Sequence, residues 1–392
     1  MKVGIAAALL AAALHCGPAV GQGFDPELQR QFLEAAQLLQ AGDYAAAERV
    51  FRALAERTNS PRVKLELART LFLLNRYSES RALFREVQLE PDVPWRVRDN
   101  VDMFMQRIDD ILGYVKFSVS LVSDSNPRNI TSEREFTIFG VRLTFQPPED
   151  NEKVTGLRYA VQAYQPLLPQ SRLSAYFTGS YLDYPTAELD RLTVDGGIAK
   201  ELGEGGLRVK GGIEAGTFGD RRLYHFPYVG YLQPLMRSAL RNVNAEFRLG
   251  KVYYPHYDYL DAYYASGTLS VSQVLSQNAA VSLAGTLEDS RAYERPYSYE
   301  GYTIVPGVAW LLTEPALLFR AELAYGVRRY ADIDPLFGER RRDERTRLDF
   351  SVRGKQWRWM NFTPVLVFSA ERNHSSLPFY GYRKANVSLM LE

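Results

Sequence analysis

From Tyr114 onward the chain is written in a period of two, and this constrains its fold more than any other feature. In "YVKFSVSLVS", Val115, Phe117, Val119 and Leu121 fall on one face and Lys116, Ser118 and Ser120 on the other. "FGVRLTFQ", "GLRYAVQAY", "LRVKGGIEAGT" and "NVNAEFRLGKV" repeat the pattern. Similar runs recur near 172–184, 190–201, 261–272, 279–289, 299–311, 316–329, 344–355, 361–371 and 382–391. Each is about ten residues long, and turns rich in Pro, Gly, Asp and Asn separate them. Strict alternation is the signature of a strand with two unlike faces.

A water-soluble sandwich alternates in the same way. Four observations select a membrane barrel instead. The strands are too many and too regular for one small core. Tyr and Phe crowd the strand ends in "YHFPYVGYL", "VYYPHYDYLDAYY" and "RAYERPYSYEGY", as in an aromatic girdle. Tyr outnumbers Phe, 25 to 20, which suits a boundary between water and an apolar phase. The leader described below points to a cell envelope. The apolar face then meets lipid and the charged face lines a lumen.

Fifteen runs are visible, and single-chain bacterial barrels have even strand numbers. "YHFPYVGYL" reads as the weakest, so fourteen strands are expected. Arg158, Arg208, Lys210, Glu214, Glu246 and Arg248 are the expected lumen-lining residues. Two roles stay open for them: an electrostatic path, or an ion-pair network that fills the barrel.

Before Gly113 the period is helical, with Ala, Leu, Glu, Gln and Arg dominant from about Pro26 to Leu112. "GDYAAAERVFRAL" aligns with "NRYSESRALFREV" at a spacing near the 34-residue tetratricopeptide period. Tyr44 falls on Tyr77, Ala47 on Ser80 and Phe51 on Phe84. Leu67, Ala68, Leu71 and a closing Pro91 complete the pattern, which looks like two tetratricopeptide repeats, one degenerate. "VPWRVRDNVDMFMQRIDDIL" adds a helix with Val101, Phe104, Met105, Ile108 and Leu112 on one face. A helical hairpin of this kind cannot bury its face alone. Tyr44, Phe51, Leu67, Leu71, Tyr77 and Phe84 are the candidate client-binding residues of this module; a packed spacer is the plainer reading.

The first 21 residues read as a secretory signal peptide: one lysine, a short apolar run from Val3 to Leu14, then Ala19-Val20-Gly21 before a mature start at Gln22. A lipoprotein signal at Cys16 would need a small residue at His15. Cys16 is the only cysteine, so a mature chain has no thiol or disulfide. No later run of eighteen apolar residues could form a spanning helix. The expected organisation is 1–21 signal peptide, 22–112 periplasmic helical domain and 113–392 outer-membrane barrel. The fold class is α plus membrane β: a tetratricopeptide-like α-helical domain followed by a 14-stranded antiparallel transmembrane β-barrel. A net charge of +1 carries no signal for nucleic acid.

This organisation resembles the surface lipoprotein assembly modifier (Slam) family. Asp124, Asn126 and Asn129 in "SLVSDSNPRNIT" look like that family's stretch after its first strand. Arg342-Asp343, Thr363-Pro364, Arg372-Asn373 with Ser375, and Tyr382 with Val387 are similar to its C-terminal hairpins. "VPWRVRDNV" resembles its proline-led helix before the barrel. The resemblance implies an outer-membrane translocator that helps deliver client lipoproteins or secreted proteins to the cell surface, after general export to the periplasm. The repeats would engage client or periplasmic chaperone. No catalysis and no cofactor is implied, and no phosphate-binding glycine loop is present. Client folding outside, or binding, would drive transfer. Outer-membrane lipid, lipopolysaccharide and the barrel assembly machinery are further expected partners. Two alternatives are an exopolysaccharide export porin, which usually carries a longer helical array, and a passive porin.

Other motifs have plain readings. His225, His256 and His374 lack metal-ligand spacing. His374 beside Ser375 and Ser376 is a poor nucleophile–base pair, since neighbours on one loop rarely build that geometry. "GERRRDERTR" (Gly338 to Arg347) reads as a long extracellular loop, or as a contact for lipopolysaccharide phosphates. In "FTPVLVFSAERNHSSLPFYGYRKANVSLMLE" the parts read as penultimate strand, surface loop from Asn373 to Tyr382, and closing strand. The closing strand must pair with the first, so that no edge is open in lipid. Such barrels finish on an aromatic residue that the assembly machinery reads. Glu392 departs from this, so the strand is expected to run further, to a Phe.

Overall fold

The computed structural model describes residues 25–90, 93–138, 140–146, 153–357 and 362–391. The expected signal peptide with Cys16, the expected repeat-closing Pro91, Phe139 and Glu392 lie outside the described residues. The chain divides into two compact units. The first is formed by the described residues up to Val93 with Asn100–Met105, the second by Pro94–Asp99 and the described residues from Gln106 on.

In the first unit, α1 (Pro26–Gln40), α2 (Tyr44–Arg57), α3 (Pro61–Leu73) and α4 (Tyr77–Leu89) form two helical hairpins. The starts follow from sequence. Asp25 and Asp43 cap α1 and α2, accepting from Glu27 N at 3.1 Å and Ala46 N at 3.0 Å. Pro26 and Pro61 occupy the first turns, where a missing N–H costs nothing. Gly42 (φ 84°) and Asn75 (φ 61°) make the equivalent left-handed turns of the two hairpins. Phe51, Leu54, Val63 and Leu71 are wholly buried in the core, and so is Phe84. Ser80 stands where the first hairpin has Ala47; it is buried too, and its hydroxyl donates to Ala68 O at 2.7 Å. A fifth helix, α5 (Trp95–Leu112), ends at Gly113 (φ 87°). Its Phe104 packs on Phe72 and Phe84, at 5.2 Å between ring centres in both cases.

The second unit is a closed antiparallel barrel. Its strands are β1 (Tyr114–Asp124), β4 (Val154–Leu168), β5 (Leu173–Asp183), β6 (Arg191–Leu202), β7 (Leu207–Phe218), β8 (Arg221–Arg237) and β9 (Arg241–Val252). They continue as β10 (Ala262–Ser276), β11 (Ala279–Ala292), β12 (Tyr299–Thr313), β13 (Ala316–Ile333), β14 (Arg340–Gly354), β15 (Pro364–Ser375) and β16 (Tyr382–Leu391). Each pairs with its sequence neighbour, and β1 closes the ring between β4 and β16. The outward face is apolar: Phe117, Leu121, Ile213, Leu249, Leu287 and Trp310 are all at least half exposed. Closure leaves no backbone edge, the condition for strands in lipid.

The expected number of fourteen is right, but its composition differs. "YHFPYVGYL" lies inside β8, paired on both sides. "FGVRLTFQ" instead supplies β3 (Val141–Thr144), which pairs only with β2 (Glu135–Ile138) in a hairpin outside the barrel. The last surface loop is also shorter than expected, because Asn373–Ser375 still belong to β15.

The two ends of the barrel differ. At one end most turns are tight, as at Leu202–Leu207, Ser276–Ala279 and Thr313–Ala316. At the other end most connections are longer, the two-residue turn Gly219-Asp220 between β7 and β8 being the exception. Four of them carry a single 3-10 turn, at Ala187–Leu189, Asp258–Leu260, Arg295–Tyr297 and Pro378–Tyr380. The β2–β3 hairpin belongs to this loop end. Its Phe136 is buried against Phe145 and Phe379, and Thr131 Oγ1 donates to Pro378 O at 2.9 Å.

Candidate functional site

All six residues expected in the lumen lie on the inner wall, and four of them pair off. Lys210 Nζ is 2.8 Å from Glu246 Oε1, and Arg248 Nη2 is 2.9 Å from Glu214 Oε2. Arg208 approaches Glu201 at 4.0 Å. Arg158 takes its inner-wall place in register with Ser120 and Leu182.

Aromatic residues, not visible as lumen residues in the sequence, join these pairs. Tyr228 donates to Asp195 Oδ1 at 2.9 Å and is 2.9 Å from the Tyr176 hydroxyl. Tyr224 donates to Glu214 at 2.8 Å. The Arg248 guanidinium lies 4.1 Å from the Tyr228 ring centre, within cation–π range. Glycines make room for these rings. A Cβ at Gly212 would collide with the Tyr176 hydroxyl, and one at Gly216 would meet the Tyr224 ring at 2.7 Å. Glycine inside a strand commonly marks such a close approach. The rings therefore pack close against the β5–β9 wall.

The facing part of the wall is rich in arginine. Arg328 binds Glu288 through two nitrogens, at 2.8 and 3.2 Å. Arg345 binds Glu371 at 2.9 Å, and Tyr382 donates to the same carboxylate. Arg347 reaches Asp349 at 2.8 Å. Arg320, Glu322, Arg347, Asp349 and Arg353 line a luminal cavity of about 400 Å³ nearer the tight-turn end. "GERRRDERTR" is thus no loop. From Arg340 it is the first half of β14, and alternation sends Arg341, Asp343, Arg345 and Arg347 inward and Arg342 and Glu344 outward. A dense charge run hides the period when both faces are polar.

At the loop end a second polar cluster ties the ring shut. Asp124 ends β1 and is 2% exposed. Its carboxylate receives Lys384 Nζ at 2.8 Å, the Tyr184 hydroxyl at 3.1 Å and Asn126 N at 3.0 Å. Asn126 donates from Nδ2 to Ile130 O and to Arg383 O, holding the chain after β1 against β16. Asn129 takes a left-handed turn (φ 54°) and accepts from Lys384 at 3.3 Å. Further round, Arg341 pairs with Asp343 at 2.6 Å and covers the Tyr380 ring at 3.6 Å, while Tyr380 donates to Asp334 at 2.9 Å. Asn373 Nδ2 donates to Tyr380 O at 2.8 Å, and Ser375 Oγ accepts from Leu377 N at 3.2 Å. Asp124, Asn126, Asp343, Asn373 and Ser375 were picked out by family likeness alone; here they order the mouth. His374 and Ser375 leave β15 on opposite faces, so they form no dyad.

In the helical unit the expected binding residues separate into two groups. Phe51, Leu67, Leu71 and Phe84 are core, at most 3% exposed. They cannot touch a client while the unit is folded; they fix the shape that one would meet. Tyr44 and Tyr77 are half-buried and reach the surface. Tyr77 stacks edge-on to Phe72 with ring centres 5.5 Å apart and donates to Asn75.

A closed fourteen-strand antiparallel barrel with an apolar outside and a charged inside, preceded by helical repeats, is the architecture of an outer-membrane β-barrel protein. Residues 238–392 match the surface lipoprotein assembly modifier family, and residues 38–92 match a tetratricopeptide repeat. The chain therefore carries the surface lipoprotein assembly modifier domain behind tetratricopeptide repeats. That domain takes in β9 to β16, and with them Arg342, Asp343, Asn373, Ser375, Tyr382 and Lys384. No curated protein matches the chain in sequence. Among solved structures it is similar to a loop-deleted OmpT, an outer membrane protein of Vibrio cholerae (9% identity, 71% of this chain and 99% of that chain, TM-score 0.35). It is also similar to a bacterial polysaccharide outer membrane secretin (9%, 72% and 99%, 0.37) and to OccAB3 of Acinetobacter baumannii (8%, 71% and 98%, 0.41).

Proposed function

We propose that this protein is an outer-membrane translocator that helps deliver client lipoproteins or secreted proteins to the cell surface. The observation that carries the reading is the surface lipoprotein assembly modifier domain at residues 238–392, joined in one chain to a tetratricopeptide repeat at 38–92. In this reading the helical unit lies in the periplasm and receives the client or its chaperone. Two facts support that side. The helices enter β1 at the tight-turn end, and short turns are the periplasmic habit of such barrels. A lumen of paired charges and aromatic rings suits a polypeptide, which offers both charge signs and apolar groups. Transfer needs no bond-making step, and client folding outside, or binding, supplies the direction.

The test is surface exposure of a client, ideally the product of a neighbouring gene, in cells with and without this protein. Protease added to intact cells is expected to remove the client only when the barrel is present. Equal protection in both strains would overturn the reading. Deleting the helical repeats while keeping the barrel is expected to leave the client in the periplasm.

A further inference from the structure

On the outer surface of the barrel two pairs of arginines face each other across strands. Arg329 of β13 is in register with Arg342 of β14, and Arg372 of β15 with Arg383 of β16. All four are exposed. They share their face with the apolar residues Tyr325, Leu348, Phe368 and Val387, which are themselves exposed to lipid. They therefore stand where the apolar band gives way to charge, at the loop end.

Like charges directly opposite each other destabilise a sheet. Inside the barrel this is avoided: Arg328 and Arg345 each hold a carboxylate. Outside it is not. Arg342 binds Glu344 at 2.7 Å, and His374 lies opposite Glu344. Glu300 is in register with Arg329, but its carboxylate is 3.7 Å from Arg291 instead. Among the described residues Arg329, Arg372 and Arg383 have no carboxylate within ion-pair distance. Three of the four guanidinium groups therefore stand uncompensated where the apolar band ends, and the fourth shares its charge with Glu344.

We propose that the outer face of β13–β16 at the loop end binds the phosphate groups of an anionic membrane lipid, one phosphate bridging each arginine pair. A guanidinium fork matches phosphate oxygens in a two-point bond, and a phosphate between two arginines turns their repulsion into attraction. Arg372 is in register with Thr346, four residues along β14 from Arg342, so the two pairs stand roughly 10 Å apart across the strands and about 13 Å along them, and each takes its own phosphate. A lipid held there braces the last strands, which include the closing one. The inference is independent of what the lumen carries.

The experiment uses the full chain in detergent and three probes: bisphosphorylated lipid A, the same glycolipid dephosphorylated, and inorganic pyrophosphate. Lipid retained on the protein is read by native mass spectrometry. The variant is R329Q/R342Q/R372Q/R383Q, with folding checked by heat-modifiable gel migration. If it does not fold, the two double variants are used. Wild type is expected to retain the bisphosphorylated lipid, and the variant to lose it by about tenfold or more. The dephosphorylated lipid is expected to bind both weakly and equally. Equal retention by variant and wild type overturns the proposal, and so does equal binding of the two lipids. Displacement of the lipid by pyrophosphate at equal concentration would assign the site to free phosphate and overturn the lipid reading.

Discussion

Lys384 of β16 places its ammonium 2.8 Å from the carboxylate of Asp124 at the end of β1, and the two side chains are only 10% and 3% exposed. The pair joins the first strand of the barrel to the last. Breaking a buried pair from one side leaves an uncompensated charge. Lys384→Met is therefore expected to cost about 3–5 kcal/mol. The measurement is the temperature at which the folded form converts to the unfolded band on a gel. Asp124→Asn combined with Lys384→Gln keeps hydrogen bonds without charge and is expected to recover part of the loss. A double variant as unstable as the single would show that the ion pair is not what holds the seam.

Gly212 is a second point where one atom decides the packing. Any Cβ there collides with the Tyr176 hydroxyl, which is 2.9 Å from Tyr228 in the chain to Asp195. Gly212→Ala must push Tyr176 off the wall. Overpacking of this kind costs about 1–3 kcal/mol. Tyr176→Phe removes the colliding oxygen and is expected to rescue part of the loss in Gly212→Ala. Urea unfolding in lipid vesicles, followed by intrinsic fluorescence, compares the single and double variants. Without such rescue, the glycine is not there to seat the ring.

Within the helical repeats, positions 77 and 84 are expected to behave differently. Phe84 is wholly buried, so Phe84→Ala is expected to destabilise the unit by about 3–5 kcal/mol, seen as faster proteolysis of the helices in the full chain. Tyr77 is half-buried. Tyr77→Ala is expected to leave protease resistance nearly intact while lowering client capture. If Tyr77→Ala captures client as well as wild type, the exposed ring is not part of the receiving surface.

The limits of the sequence are instructive at β8 and β3. Alternation assumes a polar interior, and β8 breaks that assumption. Its inward residues Phe226 and Tyr228 are aromatic and buried, so both faces look apolar and the run seems weak. β3 has perfect alternation, yet pairs over four residues and faces solvent. The lumen residues were legible because charge in a two-residue period has one place to go. Their partners were not, since the Lys210–Glu246 pair depends on register across three strands. In the helices the repeat was legible from its spacing, but the same spacing marks the residues that pack inward. Phe51 and Phe84 recur because the core needs them, and recurrence alone does not say which side of the helix meets a client.

The acid response of the helical unit follows from its surface carboxylates. Arg76, bonded to Glu79 at 2.7 Å, holds that carboxyl below its usual range, and Arg52 of α2 adds to this from 3.3 Å. Arg30 and then Gln31 lower Glu27 from 4.5 to about 2. A carboxylate whose folded value is depressed contributes stability above its unfolded value and loses it as pH falls through the folded one. For Glu27 the loss runs from pH 4.5 down to about 2. Both groups are exposed, so the effect is small and salt screens it. Of the two, Glu79 matters more for tertiary structure, because it links α4 to α2. Glu79→Gln is expected to flatten the acid dependence of helix protection, followed by hydrogen exchange of residues 44–89 between pH 5 and pH 2 in low salt. Wild type is expected to show the same flattening in about 1 M salt. An acid loss that survives both changes would have to come from other groups.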